Sequence, residues 1–136
     1  MTNVASHNSK TPTFYDHIKS LMHDRTPQIT PLEITPYLHL IPGDYKMAEL
    51  ESNNHYINFG TEINYRFFSH LSKEYDLILL DCPTHFGVFV KSLFYSINSI
   101  LIPTVPDYFS VTGVQTLLHH LASFSSSQSI NILAFF

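Results

Sequence analysis

The spacing of apolar residues changes along this chain, from a helical repeat in the first half to unbroken runs in the second. Phe14, Ile18, Leu21 and Met22 fall at i, i+4, i+7 and i+8 behind Thr11-Pro12, which predicts an amphipathic helix over 12–22. From Asp24 to Pro36 three prolines (Pro27, Pro31 and Pro36) oppose both helix and central strand, so this stretch is expected to be a loop. Tyr37–Ile41 is expected to be a short strand closed by the turn pair Pro42-Gly43. Asp44 then caps a helix through Met47, Ala48 and Leu50. Residues 52–58 read as a polar connection, and Ile63, Phe67 and Leu71 mark a second amphipathic helix over 60–73.

Beyond it, Tyr75-Asp-Leu-Ile-Leu-Leu80 is an apolar run ending at Asp81. Runs of this kind belong to strands covered on both faces, as in a parallel sheet between helices. A helix over 87–97 (Val88, Leu93, Phe94, Ile97) leads to a second buried strand, Ser99–Pro103. A helix marked by Val111, Val114, Leu118 and Leu121, capped by Ser110, a serine-rich loop over 123–129 and a last strand, Ile130–Phe136, complete the chain. Strand and helix alternate, so the predicted class is α/β, a mostly parallel sheet with flanking helices. No internal repeat is present. The polar residues 1–10 are expected to form a disordered tail, with one domain over 11–136.

Composition narrows the choices. Charged residues make up 13% of the 136, about half the usual share, and hydrophobic residues 44%, which excludes disorder for most of the chain. A net charge of −4, with Arg25 and Arg66 as the only arginines, gives no support to nucleic-acid binding. The single cysteine, Cys82, excludes an internal disulfide framework and suits a reducing compartment. No apolar run approaches the length of a membrane span, and the N-terminus lacks the pattern of a signal peptide, so the expected location is the cytoplasm, with no membrane partner. Nine histidines would reverse the sign of the net charge if all were protonated, so solubility should be poor near pH 6.

Asp81 is the sharpest candidate for chemistry. In open parallel sheets, ligands bind beyond the carboxyl ends of the strands, and a carboxylate held there can position Mg²⁺ or its waters against a phosphate. The same residue could equally end the strand as a cap for the next turn. Asp107 is open to the same two readings, switch-side acid or helix N-cap. Tyr108 and Phe109 could stack on a base or simply pack. Cys82 has no activating base in its neighbourhood and reads as a small buried residue. The histidines contain no H-x-x-x-H pair, and Cys82 and His85 form a C-x-x-H without a second half, which falls short of a zinc site.

Over a longer span the pattern resembles the ParA/Soj-like partition ATPases, relatives of MinD with a deviant Walker motif. Tyr75 to Pro83 (YDLILLDCP) is similar to their Walker B strand, YD-hhhh-D-x-P-P with h apolar, and Leu101 to Gly113 to their h-I-P-h-x-P-E-Y-Y-x-h-x-G segment, with Pro103, Pro106, Asp107, Tyr108 and Gly113 in register. Leu40-Ile-Pro-Gly-Asp-Tyr-Lys-Met-Ala-Glu-Leu-Glu51 resembles the family's strand-then-helix segment, and Thr13-Phe-Tyr-Asp16 the helix start before it. The resemblance implies an incomplete P-loop NTPase (Rossmann-like) domain. It also implies ATP and Mg²⁺ as cofactors, Asp81 acting on the metal, and Pro83, Pro106, Asp107 and Tyr108 on the nucleotide side. The partners implied are a full-length ParA-like subunit or a ParB-like centromere-binding protein.

There are three departures. Thr84 replaces the second proline of D-x-P-P, and Asp107 replaces the usual glutamate. The four glycines are isolated and no Gly-Lys pair occurs, so the phosphate cradle of a KGGxGKT loop is missing. The expectation is therefore an N-terminally truncated ATPase domain, keeping Walker B without Walker A and inactive alone. The alternative is a non-catalytic α/β module that binds a full-length relative. In the family a P-loop strand lies between the strands at 77–80 and 100–103. Without it, these two are expected to close up and pair directly, because unpaired buried backbone groups cost roughly 1–3 kcal/mol each.

Overall fold

A computed structural model describes residues 11–23, 26–83, 85–105, 107–124 and 130–135. The expected tail at 1–10 and most of the serine-rich loop lie outside these residues. In chain order the elements are α1 (Phe14–Met22), β1 (Leu32–Thr35), β2 (Leu38–Leu40), a 3-10 helix (Tyr45–Ser52), α2 (Asn54–Leu71), α3 (Val88–Leu93), β3 (Ser99–Pro103), α4 (Tyr108–Phe124) and β4 (Asn131–Phe135).

The first helix begins on a capping box. Thr13 Oγ1 accepts from the Asp16 amide at 3.3 Å, while the Thr13 amide donates to Asp16 Oδ2 at 2.9 Å. Its apolar stripe, with Phe14, Ile18 and Leu21 buried, packs on α2 and the 3-10 helix, and Phe14 meets Phe67 edge-on with ring centroids 4.9 Å apart. Asp44 caps the 3-10 helix as expected, accepting from the Lys46 amide at 3.0 Å.

The helix expected over 60–73 begins earlier, at Asn54, and absorbs most of the stretch read as a polar connection. Asn53 caps it, and its buried face runs Tyr56, Gly60, Ile63, Asn64, Phe67, Phe68 and Leu71. Polar members of that stripe hid the first two turns. They bond to one another and to α3: Asn64 Nδ2 donates to the Tyr56 hydroxyl at 2.9 Å and to Ser92 Oγ at 2.8 Å, and Ser92 donates to the Phe89 carbonyl at 2.6 Å. This cluster fixes α3 against α2.

The proline-rich stretch is not all loop. β1 lies between Pro31 and Pro36 and pairs antiparallel with β2, Leu32 facing Leu40 and Glu33 facing His39, with an irregularity between Glu33 and Thr35. An isolated two-stranded ribbon leaves an edge on each strand, and flanking prolines are tolerated there.

The sheet also departs from expectation. β3 and β4 are parallel, Ser99 opposite Asn131 through Pro103 opposite Phe135, joined by α4. The described strands thus form one parallel and one antiparallel pair, so a mostly parallel sheet is not what is seen. The segment 75–80, expected as a central strand, is in neither ladder, and direct pairing with Ser99–Pro103 does not occur. β3 takes β4 as its partner instead. The 75–80 segment is held by its side chains, with Tyr75, Ile78 and Leu80 packed on the helical core.

Candidate functional site

The segment carrying Asp81 is fastened at its start. The Tyr75 amide donates to the Leu71 carbonyl at 3.0 Å, and the Tyr75 hydroxyl meets His39 Nδ1 at 2.6 Å, tying the end of α2 to β2. Period-two alternation follows, with Ile78 and Leu80 on the core and Leu77 and Leu79 outward, 73% and 80% exposed. A segment without a ladder, held by its inward side chains, therefore leads into Asp81.

Asp81, Cys82 and Pro83 all stand exposed at the end of this segment. Among the described residues the Asp81 carboxylate has no hydrogen-bonded or ion-paired partner. Cys82, expected to be buried, is exposed. Its thiol is nonetheless pushed up from the ordinary range by partial desolvation and then by the Asp81 carboxylate, which keeps it protonated at neutral pH.

On the second loop Pro106 lies outside the described residues. Asp107 caps α4: its Oδ1 accepts from the Ser110 amide at 2.9 Å and its Oδ2 from the Ser110 hydroxyl at 2.7 Å. The helix thus starts at Tyr108, three residues before the expected start, and Ser110 serves the cap as a donor. Tyr108 is 79% exposed at the head of α4. Further along, His120 stacks on Phe86, ring centroids 5.0 Å apart and planes at 15°, linking α4 to the loop that leaves Asp81.

One contributor was not singled out from the sequence. Glu51, at the end of the 3-10 helix, holds the start of α3: the Val88 amide donates to Oε2 at 2.6 Å and the Phe89 amide to Oε1 at 3.1 Å. His85 Nε2 stands 3.5 Å from the same Oε1. The partners are 37 and 38 positions apart, and no local spacing announces such a cap.

Among the described residues no group of three or more His, Cys, Asp or Glu side chains is assembled to hold a metal. Asp81 by itself fits Mg²⁺ only as the ion is commonly bound in phosphate chemistry, by one or two carboxylates with waters and substrate phosphates completing the shell. Among the described residues no helix is long and apolar enough to cross a membrane.

The chain matches the AAA domain family over residues 2–133. It is 32% identical over 114 residues to the chromosome partitioning protein ParA of Myxococcus xanthus (strain DK1622), covering 80% of this chain and 38% of that protein. It is 28% identical over 89 residues to an uncharacterized protein of Methanocaldococcus jannaschii, covering 64% of this chain and 34% of the other. The chain thus matches well under half the length of these curated relatives. No solved structure matches at comparable significance. With the family matched across nearly all of the sequence, and with the aspartate-ended apolar segment and the P-D-Y loop in the family's order, the chain belongs to the ParA/MinD-like family of AAA-domain ATPases.

Proposed function

We propose that this chain supplies the Walker B side of a ParA-type partition ATPase and has no ATPase activity by itself. The observation that carries this reading is Asp81: exposed, without a protein partner among the described residues, and presented by a segment whose inner face is anchored in the core. A carboxylate so placed contributes little to folding and is available to Mg²⁺ or its waters. Bound Mg²⁺ would supply charge neutralisation for the β- and γ-phosphates of ATP. Pro83 beside Asp81, and Pro106, Asp107 and Tyr108 on the following loop, are the residues we assign to the nucleotide side. The 136 residues contain no glycine-rich lysine loop, and that loop contributes most of the affinity for a triphosphate and the charge stabilisation of its transfer.

The chain's role then depends on a partner. Leu77 and Leu79 face outward beside Asp81, and Leu101, Ile132 and Leu133 of the parallel pair are exposed elsewhere on the chain, so apolar surface is open both beside the site and on the parallel pair. This favours a full-length ParA-like subunit as the partner, with a ParB-like centromere-binding protein acting on the assembly, in plasmid or chromosome partitioning. It equally supports the reading as a non-catalytic module bound to such a subunit. Steady-state ATPase measurements separate the readings. The chain alone should show no turnover above an Asp81→Ala control. Mixed with a Walker A-bearing ParA-type subunit, it should change that subunit's Mg²⁺-dependent ATPase. If Asp81→Asn removes this change the Walker B role stands, and if it leaves the change intact the chain is a module. Turnover by the chain alone would overturn the proposal.

A further inference from the structure

We infer that Glu51 is a positioning residue for the loop that leaves Asp81, clamping the far end of that loop from a different element. The inference extends the reading of Asp81 as a Mg²⁺-side residue and rests on it for its functional meaning. Three observations converge on the clamp. Both carboxylate oxygens of Glu51 are engaged by the first amides of α3, at 2.6 and 3.1 Å. His85, on the loop itself, approaches the same carboxylate at 3.5 Å. A Cβ built on Gly87 would lie 2.4 Å from Glu51 Oε1, so this close approach requires glycine at 87. The backbone angle there is ordinary (φ −83°), so space is the reason and not conformation.

The physical consequence follows from chain length. Asp81 and Gly87 are six residues apart, so the connection can span at most about 20 Å and the position of one end limits that of the other. The near end is held by Ile78 and Leu80 in the core. The far end opens a six-residue helix, too short to be stable by itself and docked on the core through Phe89, Ser92 and Leu93. A carboxylate on its first amides satisfies two of the otherwise unpaired donors and favours the helix dipole. With Glu51 in place, Asp81 and Pro83 stand on a loop fixed at both ends. Without it the first turn of α3 loses both of these hydrogen bonds, and the far end is held only by apolar packing of Phe86 and Phe89 and by the Ser92 cluster.

Cys82 lies inside this loop and is the single cysteine of the chain, which makes it a built-in reporter. Glu51→Gln and Gly87→Ala are compared with the parent, as the full chain under native conditions. Amide exchange is followed by NMR or mass spectrometry, and Cys82 labelling with iodoacetamide at one fixed pH. Gly87→Ala should speed exchange at Val88 and Phe89 roughly tenfold, the loss expected for a hydrogen bond to a charged group, and Glu51→Gln, which keeps one acceptor oxygen, should do so at one of the two amides at least. Cys82 labelling should accelerate several-fold, with α2 protection unchanged. In a Glu51→Ala background, Gly87→Ala should add almost nothing, since the clash partner is gone. Unchanged labelling in both single variants would overturn the clamp, and so would acceleration matched by an equal loss of protection in α2. No nucleotide enters these measurements, so their failure leaves the Walker B reading standing. Conversely, an absent effect of Asp81→Asn on a partner's ATPase leaves the clamp standing.

Discussion

Asp81 and His17 show opposite relations between a polar side chain and stability. Asp81 is exposed and makes no hydrogen bond among the described residues, so Asp81→Asn should move the melting temperature by no more than about 2 °C, within the usual ±0.5 kcal/mol of a surface change. A scanning-calorimetry loss well beyond that would restore the capping reading. His17 is buried on α1 with Nε2 unpartnered among the described residues, and burial lowers its pKa against the opposing pull of Asp16. The sign follows. Above the unfolded-state value of about 6.5 the imidazole is neutral in both states. As the pH falls below it, the unfolded chain takes the proton first, so stability is lost down to the folded-state pKa, with a slope of at most about 1.4 kcal/mol per pH unit. Melting curves between pH 7.5 and 5 should fall, and should fall less steeply in His17→Leu. Parallel curves for the two proteins would show that other groups carry the acid sensitivity. Tyr15 titrates far outside this window, its hydroxyl donating to Glu49 and its pKa pushed up to about 12 first by that bond and then by burial.

At the level of elements, the joint between α2 and α3 depends on three polar side chains in a setting otherwise made of Phe and Leu. Tyr56 and Asn64 are fully buried, and Asn64 Oδ1 has no partner there. Tyr56→Phe deletes one acceptor of the Asn64 amide and one donor to Ser92, and should cost about 1–2 kcal/mol in denaturant unfolding. Asn64→Leu removes the amide together with its unsatisfied oxygen and leaves the Tyr56–Ser92 bond intact, so it should cost less than Tyr56→Phe. The reverse order would mean that the amide organises the joint. The same elements show why periodicity located α1 well and α2 poorly. The stripe of α1 is apolar apart from His17, whereas that of α2 opens with Tyr56 and Gly60 and continues through Asn64, so the hydrophobic repeat became visible only at Ile63.

At the scale of the molecule, the helical core around Phe14, Ile18, Tyr56 and Phe67 is well buried, while the parallel pair is not. Leu101 and Leu133 are exposed on β3 and β4, and Leu79 is exposed beside Asp81. Parallel strands normally have both faces covered, and open apolar edges invite pairing with another chain. Sedimentation velocity should therefore show concentration-dependent self-association, reduced by Leu79→Lys or Leu133→Lys because a charged side chain on such a surface blocks stacking. A monomer whose behaviour neither substitution alters would show that this surface is covered in solution.

The helix ending at Met22, the cap at Asp44, the strand at Ser99–Pro103 and the family itself were legible in the sequence, because each rests on residues adjacent along the chain or on motifs kept in register, although the pattern places the entry of that helix at Thr11-Pro12 and it starts behind Thr13. The family motif was legible around Asp81 for the same reason. What the sequence could not decide was where groups distant in the chain meet. The apolar run at 75–80 reads as a buried strand, yet its hydrogen-bonding partner is a matter of tertiary pairing, and β3 pairs with β4 instead. The sequence left Asp107 open between acid and cap, and its bonds to Ser110, which make it a cap, are seen only in the structure. Glu51 closes the segment that resembles the family, but nothing local marked it as a cap, since a carboxylate reaching an amide 37 residues away is created only when the 3-10 helix and α3 pack together. Local pattern reflects the physics of neighbours along the chain, and these contacts belong to neighbours in space.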